Sequence, residues 1–136
     1  MKLATWAYRI AGIYGILCIA PLFLSEGRFG RDYPPALTHP EFYYGFAGVT
    51  LSWQVAFLII ATDPARYRPL MPATLIEKGV FGVASIVLFA QHRIPVVFLA
   101  GGLLDLVLGT LFLVSYLKTP RRDFSNSPVR SAGSST

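Results

Sequence analysis

Four apolar stretches dominate this chain, at Ala4 to Leu24, Phe42 to Thr62, Ala73 to Gln91 and Val96 to Leu117, each near the roughly 20 residues that carry a helix across a hydrocarbon core. In lipid every backbone N–H and C=O must find a partner inside its own segment, so an isolated stretch of this kind is helical. The composition agrees: 54% of the residues are apolar and 14% charged, which excludes an ordinary soluble domain. The chain between the spans is too short for a separate soluble domain. The expected fold is all-α, a four-span transmembrane helical bundle over residues 1–118 made of two antiparallel hairpins. Residues 119–136, mostly Ser, Asn, Pro, Arg and Gly, bury almost nothing and are expected to form a disordered tail.

Orientation follows from the basic residues. Lys2, Arg66, Arg68, Lys118, Arg121, Arg122 and Arg130 fall on one side, against Arg28, Arg31 and Arg93 on the other. The richer side is expected to be cytoplasmic, which places both termini inside and the protein in the cell inner membrane as a multi-pass chain. The net charge of +5 thus reads as topology. The basic residues flank spans rather than forming a stripe with interleaved aromatics, so no nucleic-acid partner is expected. Lys2 precedes an apolar run as in a secretory signal, but Arg9 interrupts that run and no small-x-small cleavage site follows, so the first stretch reads as a retained span. Cys18 is the single cysteine, which rules out an internal disulfide or a thiolate metal cage within one chain.

The connections punctuate the spans. Ser25 to Glu41 carries Gly27, Gly30, Pro34, Pro35 and Pro40 and is expected to form an external cap. Asp63 to Pro72 contains Asp63-Pro64 and Arg68-Pro69. The third connection, His92 to Pro95, is short enough to force spans three and four into a hairpin. Trp6, Tyr8, Tyr67 and Tyr116 inside, and Tyr33, Phe42, Tyr43 and Tyr44 outside, sit where an interfacial belt would place them. Tyr14 and Trp53 instead fall near the midplane, where their polar hydrogens need partners within the bundle. Small residues mark faces where helix backbones can approach: Gly12 and Gly15, Gly45 and Gly48, Gly79 and Gly82, then Gly101, Gly102 and Gly109. In span two, Gly45, Gly48 and Ser52 lie nearly opposite Thr50 and Gln54, so that span is expected to meet protein on both sides.

Asp105 is the residue that most needs an explanation, because it lies near the middle of the fourth span. A central aspartate costs about 2.5 to 3.5 kcal/mol on insertion scales. At 3.6 residues per turn it shares a face with Phe98, Gly101, Gly102, Gly109 and Phe112, and so faces helices rather than lipid. It is either protonated and hydrogen-bonded or paired with a cation. Arg9 and Lys78 are the candidate cations, with Glu77 at similar depth about one to two turns from the cytoplasmic surface. The preferred arrangement pairs Arg9 with Glu77 across spans one and three, leaves Lys78 to snorkel to the headgroups, and places Asp105 deeper. The cluster Arg9, Glu77, Lys78 and Asp105 either locks helix register or lines a polar pocket or proton path. A pocket would draw on Tyr14, Ser52, Trp53 and Gln54.

Sequence signatures of chemistry are missing. His39 and His92 are too few and too separated for a metal or haem site, and neither a nucleophile elbow, a phosphate-binding loop nor a dinucleotide fingerprint occurs. No metal or cofactor is expected, and no catalytic motif is recognised, which leans the reading towards a non-enzymatic role. The Arg9-Ile10-Ala11-Gly12 opening of span one, Tyr44-Gly45-Phe46-Ala47-Gly48 of span two, the Asp63-Pro64-Ala65-Arg66 turn and the basic end of span four resemble small uncharacterised four-helix bacterial membrane proteins and, more distantly, the DoxX-like group. That resemblance covers most of residues 4–122. It implies a four-helix bundle and a redox-accessory role, and the latter lacks here the paired cysteines it would use. The expected function is a small accessory or assembly protein of the inner membrane, meeting lipids and either another copy or a membrane-protein partner. The alternatives are a binder or enzyme for a lipid-like or quinone-like molecule, or a proton-coupled transporter acting as an oligomer.

Overall fold

The computed structural model describes residues 2–121. Among them the regular elements are all helical: α1 (Lys2–Ile19), α2 (Glu26–Asp32), α3 (Pro40–Thr62), α4 (Met71–Ala90) and α5 (Val96–Lys118). Four segments are long and apolar enough to cross a membrane, Lys2–Leu24, Pro40–Thr62, Arg68–Ala90 and Val96–Lys118. Only 11% to 28% of each of these is buried inside the bundle, so most of the apolar surface is left for lipid. Trp6, Leu17, Val107 and Leu117 all point outward.

Proline sets most of the helix ends. Pro21 has no N–H to continue the ladder, and from Ala20 the first span tightens into a 3-10 turn to Leu24. Pro40 and Pro72 stand in the first turns of α3 and α4, where a missing N–H costs nothing. The α4–α5 turn closes with His92 in the left-handed region (φ 57°), its N–H donating to the Phe89 carbonyl while Arg93 N–H reaches back to Leu88.

The helices pack as two antiparallel hairpins, α1 with α3 and α4 with α5. They meet mainly along α1 and α5, whereas α3 and α4 barely touch. One half of the bundle is closed by a core of Ala4, Ala7, Tyr8, Ala11, Phe57, Ile60, Ala61, Met71 and Phe112. Tyr8 is its centre, stacked on Phe112 at 4.0 Å between ring centroids and edge-on to Phe57 at 6.0 Å. Its hydroxyl shares a 2.8 Å hydrogen bond with Thr74 Oγ1, so the polar hydrogen is satisfied across the two hairpins. Tyr8 is therefore a core residue and not a member of an interfacial belt; alanines at positions 4, 7 and 11 clear the space that its ring occupies. Tyr43 is also buried, donating to the Leu22 carbonyl at 2.8 Å.

The glycines divide by role. A Cβ on Gly12 would come within 2.8 Å of the Leu58 side chain and 2.9 Å of the Gln54 carbonyl, and one on Gly82 would strike Leu106. At Gly15 it would overlap the Gln54 side chain, and at Gly102 the Ser85 hydroxyl. These four permit the close approach within each hairpin. Gly45, Gly48 and Gly79 differ from the expectation, because a Cβ there would meet nothing within 4 Å. Gly101 meets only the Phe81 ring edge, at 4.0 Å. The face of α3 that carries Gly45, Gly48 and Ser52 packs on nothing among the described residues, and the Ser52 hydroxyl turns back to the Gly48 carbonyl. Among the described residues, span two therefore meets protein on one side only.

The expected tail starts too early. Thr119 is buried, its carbonyl accepting a 2.8 Å hydrogen bond from Arg68 Nε, whose guanidinium lies 4.1 Å from the Tyr116 ring centroid. Arginine thus ties the end of α5 to the start of α4. The rest of the expected tail, residues 122–136, lies outside the described residues.

Candidate functional site

Beyond the Tyr8 core the hairpins diverge, and a cavity of about 860 Å³ opens between them. Its walls come from all four spans: Tyr14 and Gly15 of α1, Phe46, Trp53 and Gln54 of α3, Ile76, Val80, Phe81 and Ala84 of α4, and Phe98 and Gly101 of α5. The expected external connection supplies the cap. Helix α2 lays Phe29 against Tyr43 (5.5 Å between centroids) and Phe98 (6.1 Å), and Phe29, Tyr43 and Phe98 all line the cavity. Tyr44 donates to Glu26 Oε2 at 2.8 Å and so pins the start of α2 to α3. A volume of this size falls within the 300 to 1,000 Å³ typical of small-molecule sites, on the order of one drug-sized or lipid-sized ligand.

One group of charges faces this space. Lys78 Nζ donates to Asp105 Oδ1 at 3.0 Å and to Glu77 Oε1 at 3.4 Å. Glu77 Oε2 is 3.2 Å from the same nitrogen, buried, and receives no hydrogen bond among the described residues. The Lys78 side chain is 6% exposed and both carboxylates 16%, so the ammonium is the more deeply buried, and all three residues line the cavity. Beneath, the ammonium is 5.2 Å from the Phe57 ring centroid, which seats the cluster on the closed core. Gly109 makes this possible: a Cβ there would crowd Lys78 Cβ at 3.3 Å.

The expected partners are rearranged. Lys78 takes the place assigned to Arg9, because α4 begins early enough to put Lys78 near the middle of Arg68–Ala90, beyond easy reach of either headgroup layer. It also shares the buried face of α4 with Met71, Thr74, Gly82 and Ser85. Glu77 and Lys78 are adjacent and diverge on the helix, yet the flexible lysine stem bends far enough to reach its neighbour. Arg9 is exposed. It sits one position past Tyr8 on the outer face of α1, with its guanidinium 5.5 Å from the Trp6 ring centroid and no ion pair among the described residues.

Tyr14, Trp53 and Gln54 line the cavity; Ser52 is on the outer face of α3 and does not. Gln54 is buried, Nε2 donating to the Thr50 carbonyl at 3.1 Å, with its side chain in the space left by Gly15. Sequence reasoning missed Phe29, Tyr43, Phe81 and Phe98 as wall residues and Phe57 as the floor. The helical reading from Asp105 places Phe98 and Gly101 on its face without marking them as cavity wall, and nothing local marks Phe29. Among the described residues no three His, Cys, Asp or Glu side chains gather as a metal site would require. No protein-family model, no curated protein and no solved structure matches the chain.

Proposed function

We propose that this chain is a multi-pass protein of the cell inner membrane that binds an amphiphilic, lipid-like molecule, its apolar body in the cavity between the hairpins and its polar end against Glu77, Lys78 and Asp105. The observation that carries this reading is the coincidence of the two: among the described residues, the formal charges on the cavity wall are grouped at one place, on a mostly apolar and aromatic surface. A cluster serving only to lock register would need no space beside it. The weak contact between α3 and α4 supplies a route from the bilayer, suited to a molecule that dissolves in lipid. The Tyr8, Phe57 and Phe112 packing below the cluster argues against a path through the bundle, and so against the transporter alternative.

Native mass spectrometry of the purified chain beside Asp105→Asn tests the proposal. A discrete small-molecule adduct on the wild type that is absent from the folded variant supports it, whereas identical adduct-free spectra oppose it.

An accessory or assembly role is favoured by a separate observation. Gly45, Gly48 and Gly79 form small-residue surfaces that nothing among the described residues occupies, as a helix awaiting a neighbour would have. Those same spectra report subunit number; a chain that is monomeric and partner-free in the membrane would count against that role.

A further inference from the structure

We infer that the polar end of the molecule taken by this cavity is a protonated amine, so that the site selects cationic over anionic amphiphiles. The inference rests on the binding role proposed above and specifies its ligand. The charged wall residues are two carboxylates against one ammonium. Lys78 is already engaged by both acids and by the Phe57 ring, and it is the most deeply buried of the three. An incoming anion would therefore join two carboxylates whose one neighbouring cation is already shared between them.

The hydrogen-bond inventory points the same way. A carboxylate offers about four acceptor sites and, when ionised, no donor. Glu77 Oε2 is buried, lies 3.2 Å from Lys78 Nζ and receives no hydrogen bond among the described residues, so a single ammonium is shared by two carboxylates. A primary ammonium brings three donors and the single positive charge that balances the group. The proton count closes in either starting state. If the cluster is ionised, the ligand arrives as an ammonium; if one carboxyl holds the spare proton, a neutral amine accepts it and the same ammonium–carboxylate pair forms. An alcohol supplies one donor and no charge, and a carboxylate or phosphate head would add a second uncompensated negative charge out of water. The Trp53, Tyr14 and Phe81 rings on the same walls add electron-rich faces that favour an alkylammonium.

Three probes of one chain length isolate the head group: dodecylamine, dodecanol and dodecanoate. They are titrated against the full chain carrying Trp6→Phe in nanodiscs of uncharged lipid, with empty nanodiscs correcting for partition. That substitution removes an exposed indole and leaves Trp53, on the cavity wall, as the only tryptophan reporter. Dodecylamine is expected to bind at least about tenfold tighter than dodecanol, with dodecanoate weakest, given the size of a Coulombic pair at low effective dielectric. Glu77→Gln and, separately, Asp105→Asn each remove the surplus charge while keeping side-chain shape, and in each the amine-to-alcohol affinity ratio is expected to fall to about one. Circular dichroism and elution volume certify that each variant is folded, and the ratio is read from whichever passes. Dodecanoate binding as tightly as the amine, or an amine preference that persists in the folded variants, would overturn the head-group assignment and leave lipid binding intact. No saturable binding of any of the three would overturn both.

Discussion

At the scale of single residues, Lys78 decides the character of the site. Its ammonium holds two carboxylates that would otherwise repel each other in a dry bundle. Removing one partner of such a group leaves a buried charge without compensation, a loss of about 3 to 5 kcal/mol. Lys78→Met is thus expected to unfold far earlier than wild type in a thermal or denaturant titration in mild detergent. Adding Glu77→Gln and Asp105→Asn to Lys78→Met should return most of that loss, since the triple variant has no charge to strand. If Lys78→Met alone were as stable as wild type, the cluster would not be the buried network described here. The sequence made Asp105 conspicuous because a mid-span carboxylate is expensive wherever it goes. Read alone it favours Arg9 over Lys78 as the paired cation, whereas Lys78 holds both acids, because the choice depends on where α4 starts and which of its faces is buried. One residue of rotation on α1 separates Tyr8 in the core from Arg9 on the outside.

At the scale of elements, the spans were legible because their length and polarity answer to the bilayer alone, and their ends because proline removes a donor at fixed places. Helix α2 was not. Its seven residues, Glu26–Asp32, have no apolar periodicity long enough to read, and it holds its place through Phe29 and the Tyr44–Glu26 hydrogen bond, contacts that exist only after α3 and α5 are assembled. The repeated glycines were read as one class and proved to be two. Gly102 faces Ser85 so closely that a methyl group would displace it, whereas Gly45 faces open space. Gly102→Ala is accordingly expected to cost about 1 to 3 kcal/mol through forced separation of α4 and α5. Gly45→Ala should be neutral or gain up to about 1 kcal/mol from helix propensity. Paired unfolding titrations in the same detergent check both. A loss at Gly45 as large as that at Gly102 would mean that a second helix covers α3 in the assembled protein, and would strengthen the accessory role.

At the scale of the whole molecule, the bundle is asymmetric along its length: tight around Tyr8, Phe57 and Phe112, and parted towards α2, with the charges at the junction. Periodicity predicts which residues face inward but not whether the space they face is filled, so no pattern in the sequence announces a cavity. Two alanines probe the difference. Ala47 of α3 is fully buried and off the cavity wall, while Ala84 of α4 lies on that wall. Ala47→Trp must push side chains and backbone apart, an overpacking loss of about 1 to 3 kcal/mol or more. Ala84→Trp can extend its indole into the open volume, and its stability should stay within about 0.5 kcal/mol of wild type, the range of substitutions that disturb no packed contact. It should nevertheless abolish any bound amphiphile, because the indole would occupy the space that the ligand's apolar body needs. Thermal unfolding and native mass spectrometry on the same samples read the two effects separately. An Ala84→Trp chain as damaged as Ala47→Trp would mean that the hairpins close together in the membrane and that the cavity is not there to be filled; a stable chain that has lost its adduct would locate the ligand between α3 and α4.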